Sequence, residues 1–293
     1  MKTLFRLRYL ICFLILSAGV LSAGIVFAGT KEEAFIENAR KGDIEKVNLF
    51  IKEGMNLNAR DPNGGTALMA ASENGRREMV ELLLAHGASA NLDDNNGMTP
   101  LMFAAINGWI PTAELLISGG AKPTAKNVRG YSAIMFAVEY GFMDIAKLLL
   151  DKGADPNETN SAGETVLMMA LGNGNKNTVE LLLSRGANIN AKVEGNVYWA
   201  DGITPLMMAV ATGREDIVKL LIDKGAEVNA RADRNYTALM YAVKTGNVEV
   251  TSLLIEKGAG LNVRNWEGST ALTQLDQNAH PELAALLKKA GAE

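Results

Sequence analysis

Residues 97–105 read Gly-Met-Thr-Pro-Leu-Met-Phe-Ala-Ala, and they predict how most of the chain folds. Thr99 has the side-chain hydroxyl that caps the N-terminus of a helix, and Pro100 suits the first helical position. The apolar and small residues that follow predict a short buried helix, which ends at Gly108. Beyond that glycine the sequence predicts a turn and a second helix.

The same pattern recurs along the chain at a fixed period. The Thr-x-Leu triplet has equivalents that begin at Thr66, Thr99, Ser132, Thr165, Thr204, Thr237 and Thr270. A second column consists of glycines: Gly54, Gly87, Gly120, Gly153, Gly186, Gly225, Gly258 and Gly291. Both columns are spaced by 33 residues, except for one shared step of 39. Two independent columns that share one period and one insertion indicate a repeat architecture.

Each period predicts a helix, a turn, a helix and an extended loop. The second helix carries apolar residues at helical spacing, as in residues 79–84, and a glycine closes it. Four residues after the closing glycine stands an asparagine in most periods: Asn58, Asn91, Asn157, Asn190, Asn229 and Asn262, with Thr124 as the exception. We expect this asparagine to hydrogen-bond local backbone and to turn the chain out of the helix layer.

These residues closely resemble the ankyrin repeat. The family pattern Gly-x-Thr-Pro-Leu-His-x-Ala-Ala is met by residues 97–105, and its Val-x-Leu-Leu-Leu-x-x-Gly-Ala pattern is met by residues 179–187. The resemblance covers about residues 31–293. It implies an all-α fold, an ankyrin-repeat solenoid of about eight 33-residue helix-turn-helix-loop units. The residues before the solenoid are separately predicted to be an N-terminal signal peptide.

The register of the repeats sets the expected boundaries. Residues 29–60 lack the Thr-Pro-Leu opening and are predicted to form an N-terminal capping repeat, because a terminal unit meets solvent on one face. Ankyrin repeats are assigned to residues 63–293. They span 63–95, 96–128, 129–161, 162–194, 201–233, 234–266 and 267–293, with a six-residue loop insertion within 193–200.

The first 28 residues have the features of a secretory signal peptide. Lys2, Arg6 and Arg8 precede an uncharged, largely apolar stretch, and the best cleavage point follows Ala28. The alternative is an uncleaved anchor, because roughly 20 apolar residues can span a bilayer. Only an uncleaved segment would hold the chain at a membrane, through residues 9–28. In either case we expect the rest to be exported to a bacterial periplasm or cell envelope, or secreted.

Composition excludes several classes of function. The formal charge is −4, and without the first 28 residues the chain has 26 basic and 33 acidic side chains. Such a chain has no bulk attraction for nucleic acid or anionic lipid. Cys12 is the only cysteine, so the sequence predicts no intramolecular disulfide.

One departure from the family pattern is systematic. Where the family usually has histidine after the leucine, six repeats have methionine and the last has threonine: Met69, Met102, Met135, Met168, Met207, Met240 and Thr273. Methionine is adaptable and can form a binding surface, but we favour packing at the base of the loops. A second stripe inside the first helices is predicted to pack in the core: Phe103, Phe136, Met169, Met208 and Tyr241.

A different aromatic set falls where the family usually presents variable residues to partners. Tyr131 and Tyr236 precede a capping residue, Tyr140 ends a first helix, and Trp266 lies near a loop tip. The insertion adds Tyr198 and Trp199, which either pack on a neighbouring loop or contact a ligand. Because tyrosine and tryptophan are typical interface anchors, we expect these residues to bind a partner along the concave side.

The sequence predicts no catalytic, metal-binding or cofactor-binding residue and no cofactor. His86 occupies a position that Lys152, Arg185 and other basic residues fill elsewhere, where a cation complements a helix C-terminus. His280 is predicted to be a surface residue. The acidic residues are scattered over loops without any sign of a tuned pair.

The resemblance implies a non-enzymatic scaffold for protein–protein interaction. We expect an unidentified protein partner in the cell envelope, bound through the concave face and the loop tips, and neither nucleic acid nor a small-molecule substrate. An alternative is a secreted effector that binds a protein of another cell. A further alternative is an exported enzyme with a site built from loop carboxylates.

Overall fold

The computed structural model describes residues 29–193, 202–276 and 279–293. The predicted signal segment, Tyr198 and Trp199 lie outside the described residues. The regular secondary structure of the described residues is α-helical, apart from a single 3₁₀ turn at Asp233–Asn235 and an isolated bridge between Thr159 and Thr165. It divides into two compact units, of which unit 1 ends at Val128 and unit 2 begins at Arg129.

Both units consist of helices that follow one another in pairs. The helices of unit 1 are α1 (Lys31–Lys41), α2 (Ile44–Lys52), α3 (Ala67–Glu73), α4 (Arg77–Ala85), α5 (Pro100–Ile106) and α6 (Ile110–Ser118). The helices of unit 2 are α7 (Ala133–Glu139), α8 (Met143–Asp151), α9 (Val166–Asn173), α10 (Lys176–Ser184), α11 (Pro205–Thr212), α12 (Glu215–Asp223), α13 (Ala238–Thr245), α14 (Val248–Glu256) and α15 (Pro281–Lys289). Within each unit the first helices of successive pairs pack on one another, and several second helices do so too, as α4 does with α6 and α12 with α14.

The predicted capping residues start the first helices. The Thr99 hydroxyl accepts a hydrogen bond from the Met102 N–H at 3.4 Å, and Pro100 occupies the first turn of α5. Threonines at the equivalent positions cap α3, α9, α11 and α13 in the same way. Ser132 is different, because its hydroxyl is buried and makes no hydrogen bond within the described residues.

The methionine stripe lies in the core. The six methionines that follow the recurring leucine or isoleucine are at most 3% exposed: Met69, Met102, Met135, Met168, Met207 and Met240. The packing interpretation is therefore confirmed, and no adaptable binding surface forms there. The prediction that the second stripe packs in the core is only partly right. Phe136 and Met169 are buried, whereas Phe103, Met208 and Tyr241 are half-buried.

The loop asparagines connect neighbouring repeats, which corrects the expectation of local hydrogen bonds. Asn157 Nδ2 donates to the Gly186 carbonyl at 3.1 Å, and Asn157 Oδ1 accepts from the Asn188 N–H at 2.7 Å. The same two contacts, 29 and 31 residues further along the chain, are made by Asn91, Asn229 and Asn262. The asparagines thus form a ladder along the outer ends of the second helices, and each amide joins one repeat to the next.

The last repeat departs from the predicted helix-turn-helix pattern. Residues 271–275 form turns instead of a first helix, although Ala271 and Leu272 remain buried. Thr273 stands where the other repeats have methionine, and its hydroxyl accepts from the Thr270 N–H at 2.7 Å and lies 3.3 Å from the Thr270 carbonyl. A threonine hydroxyl that bonds nearby backbone competes with helical hydrogen bonds, which accounts for the difference.

The loops between repeats form tight hairpins. The Asp61 N–H donates to the Gly65 carbonyl at 2.9 Å, and the Asp61 carboxylate accepts from the N–H groups of Asn63 and Gly65. Backbone hydrogen bonds also join neighbouring hairpins, as between the Trp266 N–H and the Arg234 carbonyl at 2.9 Å. A loop tip of this kind is therefore held by its own repeat and by the next one.

The insertion leaves the base of its hairpin intact. The Val193 N–H donates to the Ile203 carbonyl at 3.1 Å, and the Gly202 N–H donates to the Val193 carbonyl at 3.0 Å. Val193 is 3% exposed and packs with Met168. Val193 therefore belongs to the regular hairpin, and the extra residues fall between Val193 and Gly202, outside the described residues.

No helix in the described ranges has the length and apolarity needed to cross a bilayer.

Candidate partner-binding surface

Unit 2 presents three rows of side chains along its first helices. Four hairpin residues at equivalent positions form the hairpin row: Tyr131, Glu164, Ile203 and Tyr236. The helix row consists of Phe136, Met169, Met208 and Tyr241, and the helix-end row consists of Glu139, Gly172, Ala211 and Lys244. Because α7, α9, α11 and α13 pack on one another in this order, each row runs along the stack. We call the three rows together the first-helix surface.

Tyr131 lies at the first end of this surface and contacts the helix row. Its ring centroid is 5.3 Å from that of Phe136, and the Arg129 guanidinium lies 5.4 Å from the Tyr131 ring centroid. Burial raises the pKa of Tyr131 to about 12, and the negative charges of Glu139 and Glu164 add to this shift. The tyrosine is thus a half-buried residue with a neutral phenol.

Glu139 and Glu164 form a pair that the sequence analysis missed. Burial raises the pKa of Glu139, the charge of Glu164 raises it further, and Arg129 opposes the shift. Both carboxylates are half-buried beside Tyr131. This interaction between two acidic residues of neighbouring repeats was not anticipated from the sequence. The repeat register could have indicated that the two residues are neighbours, because Glu139 ends one first helix and Glu164 precedes the capping threonine of the next.

Tyr236 and Tyr241 lie at the other end of the first-helix surface. Their ring centroids are 5.8 Å apart, which repeats the contact between Tyr131 and Phe136 three repeats earlier. Burial raises the pKa of Tyr241, and the neighbouring Tyr236 contributes to the shift. The hairpin sequence Arg-x-Tyr is shared by the two ends, at residues 129–131 and 234–236.

Trp266 is the most exposed aromatic side chain of unit 2 that the structure describes, with 60% of its surface accessible. The Arg234 guanidinium lies 5.1 Å from its ring centroid, a cation–π distance. Arg234 and Asn235 both have positive φ angles, 57° and 63°, and Asn235 stands where the other described hairpins have a glycine. Such a conformation is uncommon for non-glycine residues and is found at functional sites. The turn thus holds Arg234 and Trp266 together at a loop tip.

The predicted partner-binding residues fall into separate places. Tyr236 and Trp266 lie on adjacent hairpins, whereas Tyr131 lies three repeats earlier in the chain. Tyr140 is half-buried and follows the C-terminus of α7, at the other end of that helix from Tyr131. Tyr198 and Trp199 are not among the described residues, so their interpretation stays a prediction.

The histidines have the surroundings of structural residues. The His86 ring contacts the Leu82 carbonyl through Nδ1 at 2.9 Å at the C-terminus of α4. Because a carbonyl only accepts, Nδ1 carries the proton in this arrangement. The exposed His280 ring lies against Gly246. Within the described residues no three His, Cys, Asp or Glu side chains are grouped to hold a metal ion.

The comparison with known families agrees with this geometry. A family model described as ankyrin repeats, in three copies, matches residues 35–127, 134–232 and 206–293. No curated protein matches the chain.

Proposed function

The chain belongs to the ankyrin repeat family, and we propose that it is a non-enzymatic scaffold that binds an envelope protein through the concave face and loop tips of unit 2. Ankyrin repeats act generally as protein–protein interaction modules. In this scaffold the chain has eight repeats, and the first of them, residues 29–60, caps the stack. A secreted effector that binds a protein of another cell would use the same surface at a different location.

The observation that carries the proposal is the pairing of Trp266 with Arg234. An exposed tryptophan held at a fixed position loses little conformational freedom when it binds, which suits it to be an anchor. Tyr236 lies on the adjacent hairpin and extends the same surface towards Tyr241. The sequence adds Tyr198 and Trp199 on the preceding loop, so the proposed site combines aromatic residues from three consecutive loops.

Capture after crosslinking in intact cells, followed by purification from the envelope fraction, tests the proposal. Trp266→Ala and Trp199→Ala should each weaken partner capture at least about tenfold, since a true anchor contributes about 2 kcal/mol or more. The melting temperature should change little for Trp266→Ala, because an exposed cation–π contact contributes only about 0.5–1 kcal/mol. Leu49→Ala is the matched control, because Leu49 is 58% exposed on α2 in unit 1. Normal capture by both tryptophan variants would contradict the proposed site.

The insertion can be removed without touching the hairpin base. Replacing residues 194–201 with Ser-Ala, the pair found at residues 161–162, keeps Val193 and Gly202 and restores the 33-residue period. We expect this variant to melt like the parent chain and to lose affinity for the partner. If its affinity equals that of the parent chain, the loop takes no part in binding.

The proposed location rests on the order of basic, apolar and small residues before Gly29. We expect native protein to begin at Gly29 and to be found in the periplasm or envelope. N-terminal sequencing of native protein distinguishes the alternatives. An intact Met1 in membranes would favour the anchor, and an intact Met1 in a cytoplasmic fraction would refute export.

A further inference from the structure

The helix-end row of the first-helix surface changes charge from one end to the other. Its four residues occupy the same position at the ends of four successive first helices: Glu139, Gly172, Ala211 and Lys244. The order is therefore acidic, small, small and basic. All four positions are at least partly exposed.

The hairpin row strengthens the acidic end. Glu164 lies on the hairpin next to that of Tyr131 and interacts electrostatically with both Tyr131 and Glu139. Arg129 lies over the Tyr131 ring and partly offsets the two carboxylates. One negative charge remains at this end after Arg129 has been counted.

The centre of the surface is apolar, and its helix-end row has small side chains. Met208 and Ile203 are half-buried, and Met169 lies between Met208 and the acidic end. Gly172 and Ala211 have no long side chain, so a segment of backbone can approach the first helices closely along this stretch.

The basic end carries Lys244 and Arg234. Lys244 is exposed in the last turn of α13, and Arg234 is exposed on the hairpin that precedes α13. Asp233 and Glu267 are exposed on the hairpin tips and balance these two positive charges, so the basic character of this end is confined to Lys244 in the helix-end row. In the helix-end row itself, Lys244 stands at the position that an acidic residue, Glu139, occupies three repeats earlier.

We propose that the first-helix surface binds an extended peptide segment of the partner protein, with a basic residue over Glu139 and Glu164, an apolar centre, and an acidic residue over Lys244. Packed helices are about 8–10 Å apart, so the three steps from Glu139 to Lys244 span about 24–30 Å. An extended chain rises about 3.3 Å per residue, so the segment has about nine residues. The inference rests on the proposed protein-binding function and adds the chemistry and charge order of the bound segment.

Selection from a random nine-residue peptide display library on the purified chain tests this charge order. We expect opposite charges at the two ends of the selected peptides, each enriched about twofold to fivefold over the input, as suits exposed ion pairs. Glu139→Lys should select acidic residues at both ends, and Lys244→Glu should select basic residues at both ends. The double variant Glu139→Lys with Lys244→Glu should restore opposite charges. These outcomes do not depend on the direction in which the peptide backbone runs.

Glu139 is half-buried, so a milder variant guards against misfolding. Glu139→Gln removes the charge and keeps the shape, and it should abolish the basic preference while the acidic preference stays. Circular dichroism melting identifies any variant that fails to fold. A second copy of the chain is the other candidate for binding this surface, and sedimentation velocity tests it. A stable dimer of the parent chain that the charge-reversed variants disrupt would assign the surface to a second copy and overturn the inference.

The results separate this inference from the proposed function. Enriched peptides without a charge order, or an order that the variants leave unchanged, would overturn the inference, while capture of a partner that depends on Trp266 would still support the scaffold. Absence of enrichment on the folded parent chain would also overturn the inference. Loss of Trp266 dependence in the capture experiment would refute the proposed site instead.

Discussion

Removing one amide of the asparagine ladder should loosen the contact between two neighbouring repeats. Asn157→Ala deletes two hydrogen bonds, the one from Nδ2 to the Gly186 carbonyl and the one from the Asn188 N–H to Oδ1. Both partners belong to the following repeat, at the end of α10. The substitution creates no cavity, because Asn157 is exposed.

The expected loss follows from the two hydrogen bonds. Each contributes about 0.5–1.5 kcal/mol net, so the pair contributes about 1–3 kcal/mol. Gly186 and Asn188 are exposed, and water can replace the lost partners, which favours the lower half of this range. Asn157→Asp should cost at least as much, because the carboxylate keeps the acceptor but places a negative charge against the Gly186 carbonyl.

Hydrogen exchange in the native state is the informative assay. In a repeat protein each unit depends on its neighbours, so protection should fall most at the Asn188 amide and along α8 and α10. A loss of 1.4 kcal/mol corresponds to tenfold faster exchange where local opening governs it. Asn63→Ala is the control, since Asn63 is an exposed asparagine on a hairpin tip outside the ladder. An equal loss of protection along all of unit 2, or no loss at all, would refute this account of the ladder.

Three further predictions concern other positions. Gly75→Ala should lose about 1–3 kcal/mol more stability in urea unfolding than Gly87→Ala, because both residues have positive φ but only at Gly75 would the new Cβ lie 2.6 Å from the Trp109 ring; equal losses would count against steric overlap. Ser132→Thr should raise the melting temperature, since threonine caps equivalent helices with about 0.5–2 kcal/mol and Ser132 makes no such bond; an unchanged or lower melting temperature would contradict this. Tyr131 has a folded pKa of about 12, above the unfolded value of about 10, so its contribution to stability is complete below pH 10 and is lost as the pH rises towards 12. Tyr131→Phe should flatten this alkaline decline in urea unfolding, and an unaltered slope would show that other groups cause it.

The periodic features of the fold could be predicted from the sequence because each depends on contacts within one repeat. The threonine N-cap at Thr99 and the helix that follows it need only the nearest residues. The burial of the methionine stripe also follows from helical spacing, because Met102 lies on the same face as the buried Leu101 and Ala105.

Features that depend on two repeats were harder to predict. The amide of Asn157 bonds to residues 29 and 31 positions away, and no pattern within one repeat shows this. The exposure of Met208 and Tyr241 depends on which side of the first helix the neighbouring repeats cover. The turn at residues 271–275 depends on the competition of one hydroxyl, that of Thr273, with the backbone.

The proposed site shows the same division. Trp266 could be found from the sequence because it lies at a loop tip, where exposure is the rule. Its contact with Arg234 and the pairing of Glu139 with Glu164 could not, since both join residues of neighbouring repeats. The charge order of the helix-end row becomes visible only when the first helices are placed side by side.

The asparagine ladder also bears on how such a gene can change its length. Each of these contacts joins an asparagine to backbone groups, and backbone groups are the same in every repeat, so the contact does not restrict which repeat follows. The contact survives the insertion too, because Asn190 Oδ1 accepts from the Glu227 N–H at 2.9 Å across the longer step. Unequal recombination that adds or deletes one whole repeat therefore rejoins compatible surfaces, whereas a deletion within a repeat breaks the register. The number of repeats can therefore change where a longer or shorter solenoid is favoured, while the hairpin tips diverge to recognise new targets.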